Sequence, residues 1–144
     1  MSLESRLSDT LKRHSYSVTK PRQAVFDALS KGDPLTMPEL ITALAPGTDR
    51  ASVYRTVDLF EKLGIIIRLN QGWKYKLELS DLFTPHHHHL TCDNCGATTA
   101  FDEPGELEAV LTKLADDNGF LARSHQMEIT GLCRNCRKLN EAKL

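Results

Sequence analysis

All four cysteines of the chain lie in two Cys-x-x-Cys motifs, which pair Cys92 with Cys95 and Cys133 with Cys136. Each motif makes a tight turn that presents two sulfur atoms, and two such turns supply the ligands of a tetrahedral zinc site. A shell of four sulfurs leaves no open position for water, so we predict a structural metal ion and not a catalytic one. A rubredoxin-like iron site has the same spacing, and two redox-active dithiols or two disulfides would also account for the four cysteines.

Four consecutive histidines, His86 to His89, come shortly before the first cysteine pair. On a β-strand, alternate side chains point to opposite faces, so His86 and His88 would serve one metal site and His87 and His89 a second one. Neither pair completes a site alone, and each needs further nitrogen or oxygen ligands. His125 leads into the second cysteine pair and can therefore return to the neighbourhood of the first. A solvated polar end of a strand is the alternative to metal binding.

The composition argues against several classes of protein. With 144 residues, of which 26% are charged and 40% hydrophobic, the chain resembles one or two small globular domains. Its N-terminal segment is polar, so we expect no secretory signal peptide, and no apolar run approaches the ~20 residues of a membrane span. These features predict a cytoplasmic protein with no membrane partner.

Charge is distributed unevenly along the chain. Residues 1–79 contain 12 Lys and Arg against 9 Asp and Glu, whereas residues 80–144 contain 6 against 10. The first part is therefore basic and the second part acidic. This asymmetry suggests a nucleic-acid partner for the first part and cationic ligands for the second.

The first part of the chain has the pattern of four helices and a hairpin. Thr19 is followed by a proline in the first turn of the second helix, and Thr36 with Glu39 has the spacing of a capping box at the start of the third. Gly64 ends the fourth helix, and the apolar period then changes to 2 on both sides of Asn70-Gln71-Gly72. This order of elements predicts a winged helix-turn-helix. The expected helices cover 3–14, a segment from Thr19, a segment from Thr36 and 49–62, and the expected strands cover 65–69 and 73–79.

The second part predicts a small α/β domain. Apolar residues at i, i+3, i+4 and i+7 indicate a helix over 105–118, which Gly119 would end. Strands are expected at 86–91, 98–101 and 121–130. The fold class is therefore α+β, with a DNA-binding winged-helix domain over 1–80, a linker over 81–85 and a metal-binding domain over 86–144.

The fourth helix has two different faces at about 100° per residue. Its polar face combines small, aromatic and cationic groups, which suit the major groove of DNA, where Arg contacts guanine edges or phosphates. A solvated helix face is the alternative. The apolar face comprises Val53, Val57, Leu59, Phe60 and Leu63, and the polar face comprises Arg50, Ala51, Tyr54, Arg55, Asp58 and Lys62. On the hairpin, the cations expected to contact the adjacent DNA backbone are Arg68, Lys74 and Lys76.

The chain resembles the ferric-uptake-regulator (Fur) family of metal-responsive transcription factors, and three motifs carry the resemblance. They are R-A-S-V-Y-R-T-V at 50–57, H-H-H-H-L-T-C-D-N-C-G at 86–96 and H-x₇-C-x-x-C at 125–136. The resemblance implies a homodimeric repressor of metal-uptake genes that binds palindromic double-stranded DNA and is not an enzyme. It also implies that the C-terminal domain dimerises and carries the metals, with Zn²⁺ on the four cysteines.

The resemblance further implies roles for three groups of residues. A metal site within the dimerisation domain would comprise His86, His88, Glu108 and His125. A sensing site at the hinge would include His87 and His89, and to these we add Glu78 as our own candidate for a third ligand. Positions that face DNA would include Tyr54 and Arg55 of the recognition helix and Arg22 of the second helix.

The chain departs from the family pattern at a position that bears on the sensed metal. Pro34 stands where many iron- and peroxide-sensing members place a further histidine, and we therefore favour Zn²⁺ over Fe²⁺ or Mn²⁺ as regulatory ion. Two further departures are an apparent insertion at 82–85 and Ser17 in place of a basic residue. A zinc hydrolase, the rival from another class, needs an open metal position and a general base, and the sequence has no H-E-x-x-H motif.

Overall fold

A computed structural model describes residues 1–71, 73–102 and 105–142 of the chain. These residues form two compact units, Met1–Pro85 and His86–Leu144. Among the described residues, no helix combines the length and the apolar character that crossing a membrane requires.

The first unit has four helices followed by a two-stranded antiparallel sheet. In the sheet, Ile66 lies opposite Leu79 and Gln71 lies opposite Lys74. Gly72 of the expected hairpin loop lies outside the described residues. The elements are α1 (Leu3–Arg13), α2 (Lys20–Leu29), α3 (Met37–Ala43), α4 (Arg50–Lys62), β1 (Ile66–Gln71) and β2 (Lys74–Leu79). The predicted winged-helix order of elements is confirmed.

Local sequence signals explain where these helices begin and end. The Thr36 hydroxyl accepts from the Glu39 amide while the Glu39 carboxylate accepts from the Thr36 amide, so the predicted capping box is present. Asp49 caps α4 by accepting from the Ser52 amide. Gly64 follows α4 with a φ of +69°, a left-handed conformation that glycine adopts without strain.

The helices and the sheet of the first unit enclose a continuous apolar core. Thr56 is buried on α4, whereas Leu59 of the predicted apolar arc is only half-buried. The segment expected as a linker also contributes to this core, because Phe83 is buried and its ring packs edge-on against Phe26 at 5.2 Å between centroids. The core comprises Leu7, Leu11, Val25, Phe26, Ala28, Leu29, Met37, Leu40, Leu44, Val53, Val57, Phe60, Ile65, Ile66, Leu77, Leu79 and Phe83.

The second unit is built around a three-stranded sheet. Its elements are β3 (His88–Cys92), β4 (Thr98–Phe101), α5 (Glu106–Asp117), β5 (Glu128–Gly131) and α6 (Arg134–Glu141). Strand β3 is central, antiparallel to β4 and parallel to β5. Here the sequence expectation was partly wrong. The last strand begins at Glu128 and not near residue 121, His86 and His87 precede β3, and the short polar helix α6 was not predicted.

Helix α5 carries the predicted apolar stripe, but the chain by itself does not cover it. Val110 is 62% exposed and Leu114 is 59% exposed, and α5 has no buried residue. Ile129 on β5 is also exposed. The second unit therefore presents apolar surface that a soluble monomer rarely leaves uncovered.

Candidate metal centres

The four cysteines converge in the second unit. One sulfur atom from each of Cys92, Cys95, Cys133 and Cys136 lies within 4.8 Å of the other three, and all four thiols are free of disulfide bonds. The Sγ atoms of Cys95 and Cys133 are 3.8 Å apart, and the Asn94 amide donates to Cys136 Sγ at 3.2 Å. Four sulfurs at such distances fit a tetrahedral metal ion, because each metal–sulfur bond would be about 2.3 Å long.

Secondary structure positions both cysteine pairs. Cys92 is the last residue of β3, and Cys133 is the N-cap of α6, where its sulfur accepts from the Cys136 amide. The parallel pairing of β3 with β5 places Gly131 opposite Cys92, so the chain enters α6 next to the first cysteine pair. Asn94 was not among the predicted site residues, and the only sequence signal for it is its place between Cys92 and Cys95.

The electrostatics of the cluster favour thiolate at one sulfur. Backbone amides of Cys133 and Cys95 donate to Cys92 and lower the pKa of its thiol to about 6. At Cys136 the Asn94 amide lowers the pKa, but hydrogen bonding with the other thiols, led by Cys133, and burial outweigh it and raise the pKa to about 11. A thiolate is the form that binds metal, so Cys92 is prepared for ligation near neutral pH.

Three histidines and one carboxylate form a second cluster in the same unit. One ligand atom from each of His86, His88, Glu108 and His125 lies within 4.8 Å of the others. His88 Nε2 is 2.7 Å and His125 Nε2 is 3.1 Å from Glu108 Oε1. His86 Nε2 and His125 Nε2 are 3.1 Å apart. Imidazole nitrogens and a carboxylate that converge in this way suit Zn²⁺, Fe²⁺ or Mn²⁺.

The ligands of this cluster come from three parts of the unit, namely the histidine run, α5 and the segment before β5. His88 is the first residue of β3 and is only 1% exposed, and Glu108 lies in the first turn of α5. Burial raises the pKa of the Glu108 carboxyl, but hydrogen bonds with His88 and His125 and the nearby imidazoles outweigh it, so the pKa lies below its ordinary value. The carboxylate is therefore ionised near neutral pH, as a metal ligand must be.

The other two histidines of the run form a separate pair. The rings of His87 and His89 are 4.7 Å apart between centroids, whereas His86 stacks edge-on against His88 at 4.8 Å. The run therefore divides into two pairs, as strand alternation predicts. Glu78, the candidate third ligand, lies on β2 of the first unit, opposite Ile67.

Most of the residues expected at a DNA interface are accessible on the first unit. Arg50, Tyr54 and Arg55 are exposed on α4, and Lys74 Nζ lies 4.8 Å above the Trp73 ring. Two further cations of the predicted set, Arg22 on α2 and Lys76 on β2, are half-buried.

Arg68 differs from the other cations expected to contact the DNA backbone. Its guanidinium is engaged by the Glu61 carboxylate, with Nη2 at 2.8 Å from Oε2, and it also lies over the Tyr75 ring at 4.2 Å. This pairing raises the pKa of Arg68 through the hydrogen bond with Glu61. Arg68 therefore joins β1 to α4, a contact that its place in the sequence did not reveal.

A winged-helix unit joined to a unit with cysteine and histidine–carboxylate clusters defines a class of metal-dependent DNA-binding regulator. The model of the ferric uptake regulator family matches residues 13–130. The ferric uptake regulation protein of Bordetella parapertussis is 37% identical over 134 residues, which are 89% of this chain and 94% of that protein. The peroxide operon regulator of Bacillus subtilis is 32% identical over 135 residues, 90% of each chain.

Solved structures agree with these sequence matches. The ferric uptake regulator of Helicobacter pylori, described as having three functional metal binding sites, superposes with a TM-score of 0.77 at 26% identity and covers 95% of both chains. The chain belongs to the ferric uptake regulator family. Members of this family are metal-responsive transcription regulators that bind DNA and act as dimers, and they are not enzymes.

Proposed function

We propose that this protein is a cytoplasmic transcriptional repressor whose affinity for a palindromic operator rises when a divalent metal ion is bound. The observation that carries the proposal is the convergence of His86, His88, Glu108 and His125 in the same unit as the four-cysteine cluster. Both clusters belong to a chain whose other unit is a winged helix. Metal ligands that are not needed for catalysis fit a role in setting a conformation, because a ligand shifts an equilibrium by its differential affinity for two states.

We assign different tasks to the metal sites. The four cysteines would hold structural Zn²⁺, since four sulfur ligands form a closed tetrahedral shell. His86, His88, Glu108 and His125 would hold an ion within the dimerisation domain. From the sequence and the family resemblance we also propose that His87 and His89, with Glu78 as third ligand, hold the sensed ion.

The DNA-binding surface would be the exposed face of α4 and the β1–β2 hairpin. Arg50, Tyr54 and Arg55 are exposed on one side of α4, as a helix in the major groove requires. Arg22, Lys74 and Lys76 would contact the phosphate backbone. Most of this affinity would come from phosphates, so it should fall steeply as salt increases.

The second unit would form the dimer. Val110 and Leu114 on α5 and Ile129 on β5 are exposed in the single chain. A twofold interface over these apolar side chains would remove them from water and hold two winged helices at the spacing of a palindrome.

Zn²⁺ is the regulatory ion that we propose, because Pro34 replaces the histidine common in iron- and peroxide-sensing members. Fe²⁺ is the second candidate, and the specific observation in its favour is that the 37%-identical relative is named for ferric uptake. Two imidazoles and a carboxylate accept Zn²⁺, Fe²⁺ and Mn²⁺, so a direct measurement is needed to separate them.

The test measures DNA binding against each metal in turn. Duplexes selected from a random pool by the zinc-loaded protein would be titrated under buffered free Zn²⁺, Fe²⁺ or Mn²⁺, with fluorescence anisotropy as readout. We expect one ion to raise affinity by roughly 5–150-fold, the usual range of allosteric coupling. Equal affinity with and without every ion would contradict a metal-responsive function.

Two single histidine variants, one at a proposed ligand and one elsewhere, form a matched test and control. His89→Ala should abolish the response to metal while the four-cysteine site keeps its zinc. His14→Ala, on an exposed histidine at the end of α1, should leave both properties unchanged. If His89→Ala responds like the unmodified protein, the sensing ligands are elsewhere.

A further inference from the structure

The buried apolar side chains of the β1–β2 hairpin lie at its base. Ile66 and Leu79 are paired there, and both are 2% exposed. Leu77 is fully buried and exchanges two backbone hydrogen bonds with Leu35, at 2.9 and 2.7 Å. Farther out the hairpin becomes accessible, and Trp73 is 88% exposed. We call residues 68–71 and 74–76 the outer hairpin, and they need contacts other than core packing to keep a fixed direction.

The strand register places Arg68 on the inner face of the hairpin. Arg68 lies opposite Leu77, and side chains of directly opposed residues point to the same face. Residues two apart along a strand also share a face, so Tyr75 belongs to the face of Leu77. Lys74 and Lys76 alternate with these residues and belong to the opposite face. Arg68 therefore continues the buried side of the hairpin and not the side that carries the lysines.

On the inner face, two groups fix the Arg68 guanidinium. Its Nη2 donates to Glu61 Oε2 at 2.8 Å and its Nε donates to Glu61 Oε1, so the ion pair is bidentate. The guanidinium also lies over the Tyr75 ring, 4.2 Å from the centroid. Glu61 belongs to the last turn of α4 and Tyr75 to β2, so this single side chain on β1 contacts two other elements. Both contacts constrain the orientation of a planar guanidinium.

This ion pair differs from an ordinary surface pair. The side chains of Arg68 and Glu61 are 37% and 25% exposed, whereas those of Arg55 and Asp49 are 71% and 65% exposed. Exposed ion pairs contribute little, but bidentate geometry makes a measurable contribution more probable. The Glu61 carboxylate also balances the charge of Arg68 at close range. The pair therefore attracts a phosphate less than an uncompensated cation would.

We propose that Arg68 is a positioning residue for DNA binding, which fixes the direction of the outer hairpin relative to α4 through Glu61 and Tyr75. In this proposal Arg68 does not make the DNA-backbone contact that the sequence alone suggests. The inference rests on the proposed function, in which α4 and the lysines of the hairpin bind the same duplex. A hairpin that is already ordered in the free protein avoids the entropic cost of ordering it on binding.

The sharpest test is Glu61→Gln, because the two roles of Arg68 predict opposite effects. Removing a negative charge from a DNA-binding unit should by itself raise the affinity for DNA. If Glu61 holds Arg68 in place, the affinity should instead fall by roughly 3–10-fold, as expected for a partly exposed, charged hydrogen bond. Fluorescence anisotropy with the metal-loaded full chain and the selected duplex would measure it. Unchanged or higher affinity in Glu61→Gln would overturn the proposal.

Asp33→Asn is the charge-matched control for this variant. Asp33 is exposed in the segment between α2 and α3, so its substitution removes the same charge from the first unit without touching Arg68. No loss of affinity is expected. Thermal unfolding followed by circular dichroism should show that the Glu61 and Asp33 variants both remain folded.

Variants of Arg68 separate its geometry from its charge. Arg68→Lys keeps the positive charge, and lysine can contact a phosphate as a point charge, but it has no planar fork for a bidentate pair. Arg68→Lys should therefore lose as much affinity as Arg68→Gln. Because both residues act through one contact, the double variant Glu61→Gln/Arg68→Gln should lose no more than either single variant. Full affinity in Arg68→Lys would make Arg68 a phosphate contact and the proposal wrong.

Amide hydrogen exchange in the DNA-free full chain tests the contact without DNA. Glu61→Gln and Arg68→Gln should speed exchange in the outer hairpin by roughly 3–10-fold, while the amides of α4 keep their rates, because local opening is separate from global unfolding. Unaltered exchange in both variants would overturn the proposal even if their DNA affinity changed. If the unmodified protein bound no duplex under any metal, the proposed function would fail together with the role of Arg68 in DNA binding, whereas faster exchange would still show that the ion pair orders the hairpin.

Discussion

The two units of this protein achieve a folded structure by different physical means. Met1–Pro85 buries a contiguous set of apolar side chains that includes Phe26 and Phe60, both at most 1% exposed. In the described part of His86–Leu144, the apolar side chains that are buried are those of Cys92 and Cys136. The first unit is therefore stabilised by the hydrophobic effect. The described part of the second unit has no comparable core, so we expect metal ligation and association with a second chain to contribute to its stability.

The largest effect should come from removing a sulfur ligand. Cys133→Ser would open the four-cysteine site, whose zinc is expected to contribute on the order of 10 kcal/mol of folding free energy. The second unit should unfold while the helical circular dichroism of the first unit persists. Ser2→Ala, at the exposed N-cap of α1, is a serine-site control that should retain zinc. If both units unfolded together in this variant, the claim that the two units are stabilised by different means would be wrong.

A core truncation should act on the first unit alone. Phe60→Ala removes a fully buried ring and should lower the free energy of unfolding by about 3–5 kcal/mol. Denaturant unfolding followed by circular dichroism would measure the loss, and zinc content per chain should not change. A variant that loses zinc as well would show that the units depend on one another for folding.

A charge on the apolar stripe of α5 should affect assembly. Val110→Asp places a carboxylate on the exposed apolar surface and should weaken the dimer by about 2 kcal/mol or more if Val110 lies at the interface. Light scattering coupled to size exclusion would follow the dimer–monomer equilibrium. Thr112→Asp adds the same charge to another side of α5 and should leave the dimer intact. An undisturbed dimer in both variants would place the interface elsewhere.

Loss of the carboxylate in the histidine cluster should have a smaller effect. Glu108→Gln keeps the size of the side chain but removes its charge. Loss of a residue that merely hydrogen-bonds to a metal ligand lowers metal affinity by roughly 10–100-fold, so loss of a ligand should lower the affinity of this cluster by at least that much. Competition titration with a chelating dye would report the affinity, and the four-cysteine site should keep its ion. Unchanged affinity would mean that Glu108 is not a ligand.

The smallest effect concerns a helix cap in the first unit. Thr36→Ala removes one half of the capping box and should lower the free energy of unfolding by about 1 kcal/mol. Thr36→Ser should recover most of that loss, because serine retains the hydroxyl. The melting temperature of the first unit is the measurement. A decrease as large as that of Phe60→Ala would show that Thr36 contributes more to stability than a helix cap does.

Sequence patterns predicted much of the first unit because its signals are local. The capping box at Thr36, the glycine after α4 and the change of period after Gly64 each depend on neighbouring residues. The pairing of Arg68 with Glu61 joins residues on different elements, and no local pattern contains it. The packing of Phe83 against Phe26 also joins distant residues, and no local pattern contains it. For this reason residues 81–85 resembled a linker in the sequence.

The metal clusters of the second unit also combine features that the sequence predicts with features that only the tertiary structure decides. The spacing of the cysteines and the alternation of the histidines are properties of the chain, and they determined which ligands could act together. Only the tertiary structure brought Glu108 from α5 and His125 from the segment before β5 to within hydrogen-bonding distance of one another. Short-range chemistry can be read from residue order, whereas convergence of distant segments depends on packing, and packing is decided by the whole chain.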